Sequence, residues 1–104
     1  MASSKEYLDF ILGQLSGLND ITYRAMMGEF IVYHRGKVIG GIYDNRFLVK
    51  PTKSAMAMMP EADTEPPYEG AKEMLLVDNL DDKIFLSKLI DAISAELPAP
   101  KRKK

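Results

Sequence analysis

Apolar residues recur first at helical spacing and then, from about residue 20, in short runs separated by turn residues. Tyr7, Leu8, Ile11, Leu12, Leu15 and Leu18 form one stripe, which predicts an amphipathic helix. Ser3-Ser4-Lys5-Glu6 reads as its capping box, with Ser3 accepting from the backbone at Glu6. Gly17, Asn19 and Asp20 end it. Residues 21–26, 30–34, 38–43 and 46–50 are β-branched or aromatic runs, predicting four strands. Arg35-Gly36 and Asp44-Asn45 are two-residue connections whose Gly36 and Asn45 accept positive φ, and Met27-Gly28-Glu29 is a further tight connection.

The second half is less regular. Thr52 caps a short helix over 53–59 that Pro60 stops. Residues 60–70 form an acidic, Pro-rich loop, and 71–77 a fifth strand. A last helix is predicted from Asp78 or Asn79, with Leu80, Ile84, Leu89, Ile93 and Leu97 on one face and Phe85 flanking it. The predicted fold is α+β: a two-layer sandwich of a mostly antiparallel five-stranded sheet with helices on one face, in the order α-β-β-β-β-α-β-α. Residues 1–97 form the domain. Pro98-Ala99-Pro100 close it, and the tail is expected to be disordered.

A sheet covered on one face should alternate apolar and polar residues, and these strands are apolar on both sides. Strict alternation places Ile31, Tyr33, Ile39, Tyr43 and Leu48 away from the helices. Either helices or the 60–70 loop cover that second face, or it is an apolar patch for self-association or a protein partner.

Composition narrows the chemistry. With no Cys and one His, thiolate nucleophiles and paired-imidazole metal sites are excluded. No cofactor is expected. Residues 1–100 hold 10 Lys/Arg against 15 Asp/Glu, and the last four residues are all basic. An acidic body does not grip phosphate backbones. The tail Lys101, Arg102, Lys103 and Lys104 allows a salt slope of at most about −3.6, so any nucleic-acid binding is weak. No apolar run approaches the roughly 18 residues of a membrane helix. Glu6 falls where a signal peptide needs apolar residues, so a cytoplasmic protein is expected.

Met26-Met27-Gly28-Glu29-Phe30, then Tyr33, Gly36, Asp44 and Phe47-Leu48-Val49-Lys50, resemble the N-terminal domain of the TfoX/Sxy competence-regulator family. The resemblance spans about residues 5–95, including Pro67-Tyr68. Met27 stands where Phe is usual in that family, and Glu29 where a second Gly is usual. The resemblance implies a secretion-chaperone-like fold without catalytic residues. In longer members the domain precedes a helical one, and the whole acts as a transcriptional coactivator of competence genes beside a cyclic-AMP receptor protein. For this chain a stand-alone interaction or regulatory module is the expectation.

The remaining chemistry is sparse. His34 is the one candidate base, and beside the Arg35-Gly36 turn it reads as a solvated turn histidine. Glu61, Asp63, Glu65 and Glu69 lack the spacing of a calcium loop. Lys50, Thr52, Lys53 and Ser54 at a helix start are a candidate anion site, without the glycines of a P-loop. Seven methionines fill core gaps or serve an adaptable surface. Arg24, if buried, needs Glu29 or Glu73 as its partner. No base, nucleophile and orienting group assemble, so a non-enzymatic interaction or transcription-regulatory module is expected. A weak nucleic-acid binder and a small-anion binder are the alternatives.

Overall fold

The computed structural model describes residues 4–97. Three helices lie on one face of a six-stranded antiparallel sheet: α1 (Lys5–Gln14), β1 (Ile21–Met26), β2 (Glu29–His34), β3 (Lys37–Ile42), β4 (Phe47–Val49), α2 (Lys53–Met58), β5 (Thr64–Glu65), β6 (Met74–Leu76) and α3 (Lys83–Glu96). The strand order is β1-β2-β3-β4-β6-β5. The α+β fold class is as expected, with one strand more than the sequence predicts. The sixth is β5, two residues inside the predicted 60–70 loop, pairing with β6 through Thr64↔Leu75 and Glu65↔Met74. Two residues carry no periodicity to read.

Ser4, not Ser3, caps α1: its hydroxyl accepts from Tyr7 N at 3.1 Å. Its own N–H donates to Asn45 Oδ1 at 2.9 Å, tying the helix start to the β3–β4 turn. Ser3, Pro98-Ala99-Pro100 and the basic tail lie outside the described residues. The stripe is as read, with Leu8, Ile11 and Leu15 buried, although the helix stops at Gln14.

The last helix begins later than predicted. Asp82 caps it, its carboxylate accepting from Phe85 N at 3.0 Å. Leu86, Leu89, Ile90 and Ile93 face the core, and Ile84 is 71% exposed. Ile84 lies two residues, about 200° around the helix, from Leu86 and so points the other way.

All three hairpins of the β1–β4 meander turn through two residues at positive φ: Met27 (54°) and Gly28 (86°), Arg35 (55°) and Gly36 (80°), Asp44 (54°) and Asn45 (56°). Mirror-image turns of this kind match the right-handed twist of the strands they join. Glu29 belongs to β2, opposite Met26, rather than to the turn.

A bulge in β3 changes which residues face the core. Tyr33 pairs with Val38 and Val32 with Gly40, leaving Ile39 as the extra residue. One inserted residue reverses the inside-outside alternation beyond it. Ile39 therefore enters the core cluster with Val32, Ile42, Phe47, Val49, Leu75, Val77 and the helix stripes. Val38 takes the outward place that the sequence assigned to Ile39. Gly40 sits beside the bulge where the strands approach closely: a Cβ there would stand 2.2 Å from Leu48 O and 2.8 Å from Val49 Cα.

Candidate functional site

Ile31, Tyr33, Val38, Gly41, Tyr43, Leu48 and Met74 lie on the side of the sheet away from the helices, by the strand register. The ring of Tyr43 lies across Gly41: a Cβ at 41 would meet its Cε2 at 2.7 Å and Cζ at 2.8 Å. The absence of a side chain at 41 thus lets an aromatic ring lie on the sheet.

The segment carrying Pro67 and Tyr68 crosses this face and divides it into two recesses. A pocket of about 330 Å³ is lined by Met26, Met27, Glu29, Ile31, Tyr43 and Tyr68. A groove of about 530 Å³ lies beside Val38, Tyr43, Lys50, Pro51, Pro67, Tyr68, Met74 and Leu97. Tyr43 and Tyr68 line both. The outer face is therefore partly roofed by the acidic segment and partly open, which joins the two explanations its apolar strands allowed. Met27 is 96% exposed, Tyr68 65% and Met26 46%. Glu29 Oε1 accepts from Asp44 N at 3.0 Å, which orients the carboxylate. Burial pushes the Tyr43 phenol pKa above its usual 10, with Tyr68, Glu29 and Tyr33 nearby adding to the rise.

The outward residues read from the sequence separate into two groups. Ile31, Tyr33 and Tyr43 are half-buried on the outer face. Ile39 is in the core because of the bulge, and Leu48, although outward, is fully buried. Neither Ile39 nor Leu48 can touch a partner. Tyr68, Val38 and Met74 are not among the outward residues that strict alternation gives. Pro67-Tyr68 was the one available signal, since an aromatic between turn residues in a polar stretch has no core periodicity. Of the motif residues, Met26, Met27, Gly28, Tyr33, Asp44 and Leu48 belong to this face or its turns, Gly36 turns the opposite end, and Lys50 borders the groove. Arg24 is exposed on β1 rather than buried.

The anion site at α2 is filled from within the chain. Thr52 caps the helix, accepting from Ala55 N at 3.1 Å. The Glu96 carboxylate accepts from Lys53 N at 3.1 Å, from Ser54 N at 2.6 Å and from the Ser54 hydroxyl. The Ser54 hydroxyl, with the backbone donors, holds the Glu96 pKa below the usual value. A negative charge at this helix start is favourable, and α3 supplies it. Among the described residues, no group of three or more His, Asp or Glu is placed to hold a metal ion.

His34 is buried, not solvated: it is 1% exposed, and its Nδ1 has no hydrogen-bond partner. It pairs with Lys37, whose Nζ donates to Ser94 O of α3 at 2.9 Å. Burial holds its pKa below 6.5, Arg35 and Lys37 push the same way, and Asp91 and Asp20 oppose them. The unfolded chain therefore takes up a proton that the folded one resists. Stability is complete above about pH 6.5 and falls as the pH drops below it. The Tm is expected to fall between about pH 7.5 and 5.5, a window in which His is the side chain that titrates, and to stay level there in His34→Leu. Parallel profiles for the two proteins would show that His34 is not held neutral by the fold.

Fold and site together define a small α+β domain, packed by helices on one sheet face and recessed between aromatic and methionine side chains on the other. The chain belongs to the same family as an uncharacterized 12.7 kDa protein in the trpE 5′ region of Spirochaeta aurantia. It is 31% identical to that protein over 105 residues, an alignment covering 100% of this chain and 91% of the relative. No protein-family model matches the chain, and no solved structure matches it.

Proposed function

We propose that this chain is a non-enzymatic interaction module, of the kind its resemblance to the TfoX/Sxy N-terminal domain implies, and that it docks a protein partner on the outer sheet face in the cytoplasm. Met27 carries the reading. A non-glycine residue at φ 54° is unfavourable by itself, and a methionine 96% exposed buries nothing in return. Neither turn geometry nor core packing calls for a large apolar side chain there. A flexible thioether at the rim of an aromatic pocket suits an adaptable contact surface. Tyr68 and Met26 extend that rim, so a partner could bury all three together.

The test compares Met27→Asp with Ile84→Asp, which also replaces an exposed apolar residue but lies on the helical layer. An interface anchor contributes about 2 kcal/mol, roughly thirtyfold in affinity. Met27→Asp is expected to lose the partner captured from native lysate by about that factor, and Ile84→Asp to retain it. Equal capture by the two variants would refute docking on this face.

A further inference from the structure

The sheet ends differently on its two sides. β5 forms one edge and is only two residues long. β1 forms the other with six residues, paired one for one with β2 and without a bulge. Short strands, prolines, lysines and bulges are the usual means of closing an edge to other chains. Shortness protects β5. Ile-Thr-Tyr-Arg-Ala-Met has none of these devices, and Arg24 is its one charge. Every β1 residue after the half-buried Ile21 is exposed.

The ladder tells which backbone groups are open. Asp20 O accepts from Arg35 N at 3.0 Å, and the Met27-Gly28 turn closes on the Met26↔Glu29 pair. Hydrogen-bonded pairs alternate along an antiparallel ladder, so Thr22, Arg24 and Met26 turn their N–H and C=O groups toward β2. Those of Ile21, Tyr23 and Ala25 point off the sheet, and among the described residues no strand pairs with them. Tyr23, opposite Val32, lies on the helical side, edge-on to Phe30 with 5.8 Å between ring centroids. Thr22 and Arg24 lie on the outer side, opposite Tyr33 and Ile31.

We propose that β1 pairs antiparallel with β1 of a second copy of this chain, joining the two sheets edge to edge about a two-fold axis. Open groups must meet open groups, which leaves few registers. Centring the axis on Arg24 would set like charges face to face, and centring it on Thr22 would shorten the overlap. Centred on Tyr23, the pairing engages all the open groups of Ile21, Tyr23 and Ala25. Tyr23 then faces Tyr23 of the second copy, Ile21 faces Ala25, and Arg24 faces Thr22, with Asp20 two residues further along. The one charge of each strand thus meets a neutral residue with an acidic one nearby. The pairing uses the long edge of both copies and leaves only β5 at each end, so the assembly closes at two. The inference does not rest on the docking reading of the outer face.

Sedimentation equilibrium of the full chain, up to about 1 mM, is expected to show a reversible dimer with a dissociation constant on the order of 100 μM. The amides of Ile21, Tyr23 and Ala25 should gain protection from exchange as the concentration rises. Ala25→Pro removes an open N–H and spares the β1–β2 ladder, so it should be monomeric throughout with a native spectrum. Thr22→Glu, which sets a carboxylate opposite Arg24, should tighten the dimer roughly fivefold, and Thr22→Lys should weaken it by a similar factor. The Thr22 variants keep the test decisive even if proline disturbs β1. A monomer at every concentration, or a dimer undiminished in a folded Ala25→Pro, would overturn the pairing. So would Thr22→Glu and Thr22→Lys moving the affinity in the same direction.

Discussion

Gly40→Ala is expected to cost at least about 3 kcal/mol, a large fraction of the roughly 5–15 kcal/mol that holds a domain of this size together. The added methyl would stand 2.2 Å from Leu48 O and 2.8 Å from Val49 Cα, and both are backbone atoms of the neighbouring strand. A side chain could rotate aside, but a paired strand moves only by breaking its ladder. Gly40 pairs with both Val32 and Val49 at the centre of the sheet, so the displacement would reach three strands. Gly13 is the internal comparison: nothing lies within 4 Å of a Cβ there. Gly13→Ala in the last turn of α1 should stabilise by up to about 1 kcal/mol. Urea melts of the two variants decide the matter. Similar midpoints would mean that β3 and β4 are not as close as described.

Leu48→Ala carries the second large effect, expected at about 2–5 kcal/mol. Leu48 faces away from the helices and lies outside the main core cluster, yet it is fully buried. Its cost should approach that of Phe47→Ala, about 3–5 kcal/mol, although Phe47 lies on the helical side. A loss below about 1 kcal/mol would mean that the outer face has no packed floor. The variant should also move the Tyr43 resonances, because the Tyr43 ring lies across Gly41, the residue paired with Leu48, and with them those of Tyr68, which lines both recesses beside Tyr43. A global melt with both rings unmoved would separate stability from the site.

The sequence made local features readable and hid non-local ones. Arg35-Gly36 and Asp44-Asn45 announced their turns because each placed Gly or Asn where positive φ is needed. The α1 stripe was equally direct, since 3.6-residue spacing survives a one-residue error in the cap. The exchange of Ile39 and Val38 was not readable, because a bulge is a property of the pairing and not of either strand. His34 reads as solvated because turns are usually exposed, and its burial depends on groups distant in sequence, with Asp20 and Asp91 near its ring. Glu96 reaching Lys53 and Ser54 joins residues more than 40 positions apart, and no local pattern announces that. Of the candidate surface, Ile31, Tyr33 and Tyr43 were legible by alternation. Tyr68 depends on where its segment crosses the sheet.

The three two-residue turns bear on the order in which the chain organises. From Ile21 to Val49 each strand meets its neighbour through the shortest loop available, so closing each hairpin forfeits little chain entropy. The pairing of β4 with β6 must instead close a loop of about 25 residues, and the docking of α3 a longer one. Hairpins form in microseconds, whereas distant pairings set the slower rates. The meander is therefore expected to pair early, with Met27 and Tyr43 in place before the segment bearing Tyr68 reaches them.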